Sequence, residues 1–331
     1  MPESDLIQQL DLAVEAILRG KPAPAAGPEV TALRRVAEDV RALPDRDFRA
    51  NLKARLMSQA AKEREKMSAT TTPVHWIPKG FHSLTPYLHA SPKAKLLDFL
   101  RDAFGAVEAG RFPRPDGTIM HAQTQIGDSI LEFAEMPDDF AGPRGTSFWY
   151  FVDNVDETYR RAVAAGGTSL NEPVDRPYGQ REGGVIDPAG NYWFISRVIG
   201  AESPAPAGMH TVSTYFIARG VPAFIQFLES AFGASVVEKH EGPDGRIVHA
   251  RIRIGDSDFG MGEAQEQWQP MPAGIHHYVP NVDEAYQRAL AAGAKSLEPP
   301  SDKPYGDRYA GVIDPQGNYW YLTTHIHDVS A

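Results

Sequence analysis

The chain has no cysteine among its 331 residues, which removes disulfide frameworks, thiolate zinc sites and cysteine nucleophiles together. It also lacks an excess of positive charge. Its 33 Lys and Arg stand against 43 Asp and Glu, for a net charge of −10, so there is no basic face to displace counterions from a nucleic acid. No uninterrupted apolar run approaches the roughly 18 residues of a membrane span. The opening MPESDLIQQL has neither the basic start nor the apolar core of a secretory signal. No Gly-rich phosphate loop, HExxH helix or Ser–His–acid order is present. The expectations are a cytoplasmic protein with no nucleic-acid and no membrane partner.

What the chain does contain is a second copy of much of itself. VIDPAGNYWFIS at 185–196 returns as VIDPQGNYWYLT at 312–323, AFGA at 103–106 as 231–234, IGDS at 126–129 as 254–257, and NVDE at 154–157 as 281–284. A period near ~120 residues is too long for a solenoid and suits one compact domain per copy. The expected domains are 80–199 and 208–327. Residues 1–70 read differently. Leu6, Leu10, Ala13 and Ile17, then Val30 to Leu43, then Phe48, Leu52 and Leu56 fall at helical spacing, giving a helical extension joined by a 71–79 linker. Short amphipathic helices must bury their stripes, either on the repeats, in a dimer contact or against a protein partner.

Each repeat reads as strand, helix, three strands, taken twice. In the second copy HTVSTYFIA (210–218) alternates as a strand, VPAFIQFLESAFG (221–233) is an amphipathic helix, and SVVEKH, VHARIRI and DFGMGE follow as strands. The fold class expected is α+β, with βαβββ units building a curved antiparallel sheet whose helices cover the convex side. Alternation then sorts the faces. Ala250, Ile252 and Ile254 pack under helices, so His249, Arg251 and Arg253 face the hollow, as do His121, Gln123 and Gln125 in the first copy. Leu131 and Phe133 pack below while Glu132 faces inward; its counterpart is Gly260.

The motifs AFGA, PDGxIxHA with IGDS, VDxxxxRAxAAG and PYGxRxxGVxDPxGNYW resemble the vicinal oxygen chelate superfamily, the glyoxalase/bleomycin resistance/dioxygenase proteins, in its PhnB-like branch. The resemblance implies two tandem domains, each of two βαβββ modules forming a cup. In metal-using members it implies four ligands, on the first, fourth, fifth and last strands. The matching positions are Thr85, Glu132, Ser147 and Phe194 in one repeat and Ser213, Gly260, Gly274 and Tyr321 in the other, so only Glu132 is a competent ligand. Modules can pair within or across repeats. If across, Glu132 shares a cup with His276, and the two would hold a divalent metal and carry catalysis.

Other residues have two readings. His121 and His249 either line a pocket or bond across the sheet. Arg181 and Arg308, after PYG turns, either clamp an anion or form surface ion pairs. Trp149, Phe194 and Tyr321 either wall a ligand site or simply fill it. Arg251 and Arg253 make the second cup the basic one, suited to an acidic ligand. Three functions follow: a metal-free binder of an aromatic or anionic small molecule, a metal-assisted lyase, isomerase or dioxygenase using Glu132 with a histidine, or a ligand sensor docking a partner through residues 1–70.

Overall fold

A computed structural model of the chain describes residues 75–328, so the helices expected over residues 1–70 and the start of the 71–79 linker lie outside the described residues. The first repeat runs β1 (Leu84–Ala90), α1 (Leu96–Phe104), β2 (Val107–Pro113), β3 (Ile119–Ile126), β4 (Ser129–Glu135), β5 (Ser147–Phe151), α2 (Val155–Ala164), β6 (Thr168–Asp175), β7 (Gln180–Ile186) and β8 (Tyr192–Val198). The second repeats that order: β9 (Val212–Ala218), α3 (Val221–Phe232), β10 (Ser235–Glu241), β11 (Ile247–Ile254), β12 (Ser257–Glu263), β13 (Gly274–Tyr278), α4 (Val282–Ala291), β14 (Lys295–Asp302), β15 (Asp307–Ile313) and β16 (Tyr319–His325). Among the described residues no helix is long and apolar enough to cross a membrane.

The duplicated motifs are the punctuation of this order. In each AFGA the glycine takes the left-handed conformation that ends the helix, Gly105 at φ 69° after α1 and Gly233 at φ 67° after α3. In each NVDE the asparagine caps the next helix: Asn154 accepts the Glu157 N–H at 3.1 Å and Asn281 the Glu284 N–H at 3.2 Å.

The strands form two eight-stranded sheets, ordered β14-β15-β16-β13-β1-β4-β3-β2 and β10-β11-β12-β9-β5-β8-β7-β6. Each sheet therefore takes one module from each repeat, joined antiparallel at β1–β13 or β5–β9. This decides the question the sequence leaves open: pairing is across the repeats. The sheets are mixed rather than wholly antiparallel, because the β2–β3–β4 meander returns β4 beside β1 running the same way, and β8, β12 and β16 do likewise. The hydrophobic cores divide differently. One core holds Leu88, Phe99, Leu131, Phe148 and Trp193 of the first repeat, the other Phe216, Phe224, Phe259, Ile275 and Trp320 of the second. A repeat thus owns a core, while a concave face is shared.

Candidate functional site

In the first sheet, which we term the A cup, parallel pairing sets Tyr87 abreast of Glu132 and His276 abreast of Tyr321, and the antiparallel seam sets Thr85 opposite His276. The Glu132 carboxylate is buried, at 1% exposure. It accepts the His276 Nδ1–H at 2.5 Å and the Gln123 amide at 3.2 Å, with His121 Nε2 at 3.4 Å. His276 Nε2 lies 2.6 Å from the Thr323 hydroxyl. Burial pushes the carboxyl up, but His276 and His121 outweigh it and hold Glu132 below its ordinary range. Around this pair Tyr87 and Tyr321 pack edge to face, 4.8 Å between centroids, and burial pushes both phenols up, so they stay protonated. Burial lowers His89 to about 4, and its neutral Nε2 takes the Tyr321 O–H at 2.7 Å.

These groups do not fit a catalytic divalent ion. Two ligands with bonds of roughly 2.0–2.1 Å at a tetrahedral angle stand about 3.3 Å apart, whereas Glu132 and His276 bond each other directly at 2.5 Å. Of the other groups, His121 Nε2 lies 3.4 Å from the carboxylate, His89 Nε2 is taken by the Tyr321 hydroxyl, and the phenols stay neutral. Among the described residues the only trio of His, Cys, Asp or Glu within reach of one ion is His82, Asp128 and His210, in the loops ahead of β1 and β9 and the β3–β4 turn, outside both cups. There each imidazole is already bracketed. His82 faces Asp256 Oδ2 at 3.3 Å and the Asp128 carbonyl at 3.1 Å, His210 faces Asp128 Oδ2 and the Asp256 carbonyl at the same distances, and the rings stack 3.5 Å apart.

The B cup, on the second sheet, is open. It encloses about 620 Å³ walled by Trp149, Phe194, Tyr215 and Trp268, with Tyr178 and His249 at its margin. Trp149 occupies the place that His276 has in the A cup, and Gly260 that of Glu132. A Cβ on Gly260 would stand 2.6 Å from the Trp149 ring, so the indole and an acid at 260 exclude each other. Burial lowers His249 to about 4, and its ring lies parallel to that of Tyr215.

Cross-pairing sorts the sequence candidates into these two places. Glu132, His121, Gln123, His276 and Tyr321 meet in the A cup, whereas Trp149, Phe194, His249 and Arg251 border the B cup. The remaining arginines belong to neither. Arg181 alternates with Gln180 and Glu182, so it turns to the helix side and holds both oxygens of Asp156 at 2.6 Å; Arg308 does the same with Asp283. Arg253 stands directly across from Asp258 and binds it through two nitrogens. Arg251 donates to Glu238 and to the Ala207 carbonyl. The expected basic cup is therefore neutralised by its own acids. The tight Gly255–Asp256 turn already sets Arg253 opposite Asp258, and that signal was in the sequence. Sequence reasoning also missed Tyr87 and His89, which alternate on β1, and Gln180 and Glu182, which alternate on β7. Trp268 sits in a loop after β12, where no periodicity could reveal it.

The family model described as Glyoxalase/Bleomycin resistance protein/Dioxygenase superfamily matches residues 93–195 and again 210–322. An uncharacterized protein of Mycobacterium bovis is 32% identical over 127 residues, 35% of this chain and 84% of that protein. A putative glyoxylase, CFP32, of the same organism is 26% identical over 220 residues, 62% of this chain and 80% of its own length. The crystal structure of glyoxalase I from Zea mays superimposes with a TM-score of 0.56 at 17% identity, covering 73% of this chain and 92% of that one, a likeness of fold.

Proposed function

Because the chain belongs to the glyoxalase/bleomycin resistance protein/dioxygenase superfamily, we propose that it binds a small molecule and that the ligand sits in the B cup. The observation that carries this is the space of about 620 Å³ between Trp149, Phe194, Tyr215 and Trp268, within the roughly 300–1,000 Å³ of small-molecule sites and walled as they are. Ring faces on several sides favour a planar aromatic ligand. An anionic ligand suits the cup poorly, since Arg251 is engaged by Glu238 and Glu182 and Glu263 also border the space. The A cup supports the binder reading over a metal-assisted lyase, isomerase or dioxygenase, because among the described residues no third His, Asp or Glu comes within reach of an ion shared by Glu132 and His276, and a catalytic ion takes about three protein ligands.

The test is titration of the metal-free full chain with acridone, a flat uncharged probe, read by quenching of tryptophan emission. Saturable binding is expected, weakened at least tenfold by Trp149→Ala and unchanged by Glu132→Gln. Acridone binding indifferent to Trp149, or a stoichiometric divalent ion found by elemental analysis of protein purified without an affinity metal, would sink the reading.

A further inference from the structure

The wall that β7 contributes to the B cup holds acceptors without adequate donors. Gln180 and Glu182 lie two residues apart on that strand, hence on one face, and both line the cup. Glu182 is 8% exposed. The Ser196 hydroxyl donates to it at 3.3 Å and the Tyr178 phenol is a second donor, yet burial still pushes the carboxyl up; Arg176 Nε, 3.4 Å away, lacks hydrogen-bond geometry, so that this buried nitrogen is itself without a partner. Gln180 Oε1 is also buried and unpaired. Buried polar atoms of a native fold are ordinarily satisfied, and a row of them along a cavity is satisfied by what enters it.

The charge around the space has the same sense. Glu182, Glu238 and Glu263 border it, and Arg251 is the one Lys or Arg among its described lining residues. Arg251 is held by Glu238 at 3.0 Å with Asp258 at 3.6 Å, while Glu263 accepts the Gly220 and Val221 N–H groups that open α3. Glu182, whose only cation among the described residues is Arg176 at 3.4 Å outside hydrogen-bond geometry, is the least engaged of the three. Trp149, Tyr215 and Trp268 line the same space, and an aromatic ring attracts a cation placed over its face.

Resting on the B cup as the ligand site, we infer that its ligand is a planar aromatic cation rich in N–H donors, an aminoheteroaromatic, arylamidinium or arylguanidinium, stacked on the indole walls with its charged end toward Gln180 and Glu182. The aromatic walls supply most of the affinity. The β7 acceptors select the charge.

Three flat tricyclic probes of similar size test this on the full chain by tryptophan quenching at neutral pH: 9-aminoacridine as cation, acridone as neutral form and 9-anthracenecarboxylate as anion. The cation should bind at least tenfold more tightly than either of the others. Glu182→Gln, with its fold checked by circular dichroism, should abolish most of that preference while leaving acridone within about twofold. Gln180→Leu, a second variant that leaves the carboxylate in place, should weaken the cation severalfold. If acridone binds through Trp149 but the cation has no advantage, or Glu182→Gln leaves the ranking intact, the charge selectivity is wrong and the aromatic site stands. If none of the three binds, the B cup reading itself falls, and this inference with it.

Discussion

His277 and its neighbour His276 show how one step along a strand changes a residue's chemistry. His276 faces the A cup and its carboxylate. His277 faces the core, 4% exposed, against the rings of Phe232 and Trp320, with a buried Nδ1 that has no partner. Burial lowers its pKa to about 3, as it lowers His89 to about 4. In the unfolded chain histidine takes its proton near 6.5. The unfolded state therefore binds more protons between these values, and stability is full above about 6.5 and falls as pH drops toward 4. Urea midpoints measured from pH 7 to pH 4 should show this fall, and His277→Leu should make it shallower while stabilising the protein at pH 7 by about 1 kcal/mol, since it removes an unsatisfied buried group. An unchanged pH slope in the variant would contradict the assignment. The opposite sign is expected at Glu132: Glu132→Ala leaves the half-buried His276 without its acceptor and should cost about 1–3 kcal/mol, the range for a buried polar group left unsatisfied.

At the level of elements, the β7–β8 and β15–β16 hairpins are the same device built twice. Asp314 accepts the backbone N–H groups of Gln316 and Asn318, the Asn318 side chain and the Trp320 indole N–H at 2.9 Å; Asp187 does the same with Ala189, Asn191 and Trp193. The turn acid thus fixes the hairpin and also anchors the largest side chain of each core. Asp314→Ala should destabilise by on the order of 3 kcal/mol, because a buried indole N–H loses its acceptor, with Asp314→Asn milder; equal denaturation curves for wild type and Asp314→Ala would refute the anchoring role. The DPxG turns and the Gly stops were legible in the sequence because each rests on contacts within a few residues, whereas NVDE was legible only as a repeat and not as the cap its asparagine makes. So was the inward face of Glu132, fixed by Leu131 and Phe133 on either side. The ion pairs of Arg181, Arg253 and Arg308 were less so, since a pattern of faces names no partner.

For the whole molecule, the choice between pairing within and across repeats could not be read, because the strands that compete, β5 and β13 beside β1, differ in every residue yet share one length and one pattern of buried positions. The structure gives each repeat a core almost wholly its own, with only Val212 and Leu84 crossing over, but leaves β1 and β5 dependent on β13 and β9 for their outer hydrogen bonds. Residues 75–203 alone should therefore fold yet expose two unpaired edges, and light scattering should find a dimer in which two such copies supply each other's missing modules. A folded monomer would contradict the dependence.

That arrangement has a consequence for the residues facing Trp149. Two identical chains associated this way would be bound by symmetry, since every substitution would appear in both cups at once. Covalent fusion lifts that constraint. Gly260 with Trp149, and Glu132 with His276, are answers to one structural position that no symmetric pair of chains could hold together. A single polypeptide can keep an acid bonded to an imidazole in one hollow and open space between aromatic walls in the other, so division of labour between twins is what the linker between the repeats makes available.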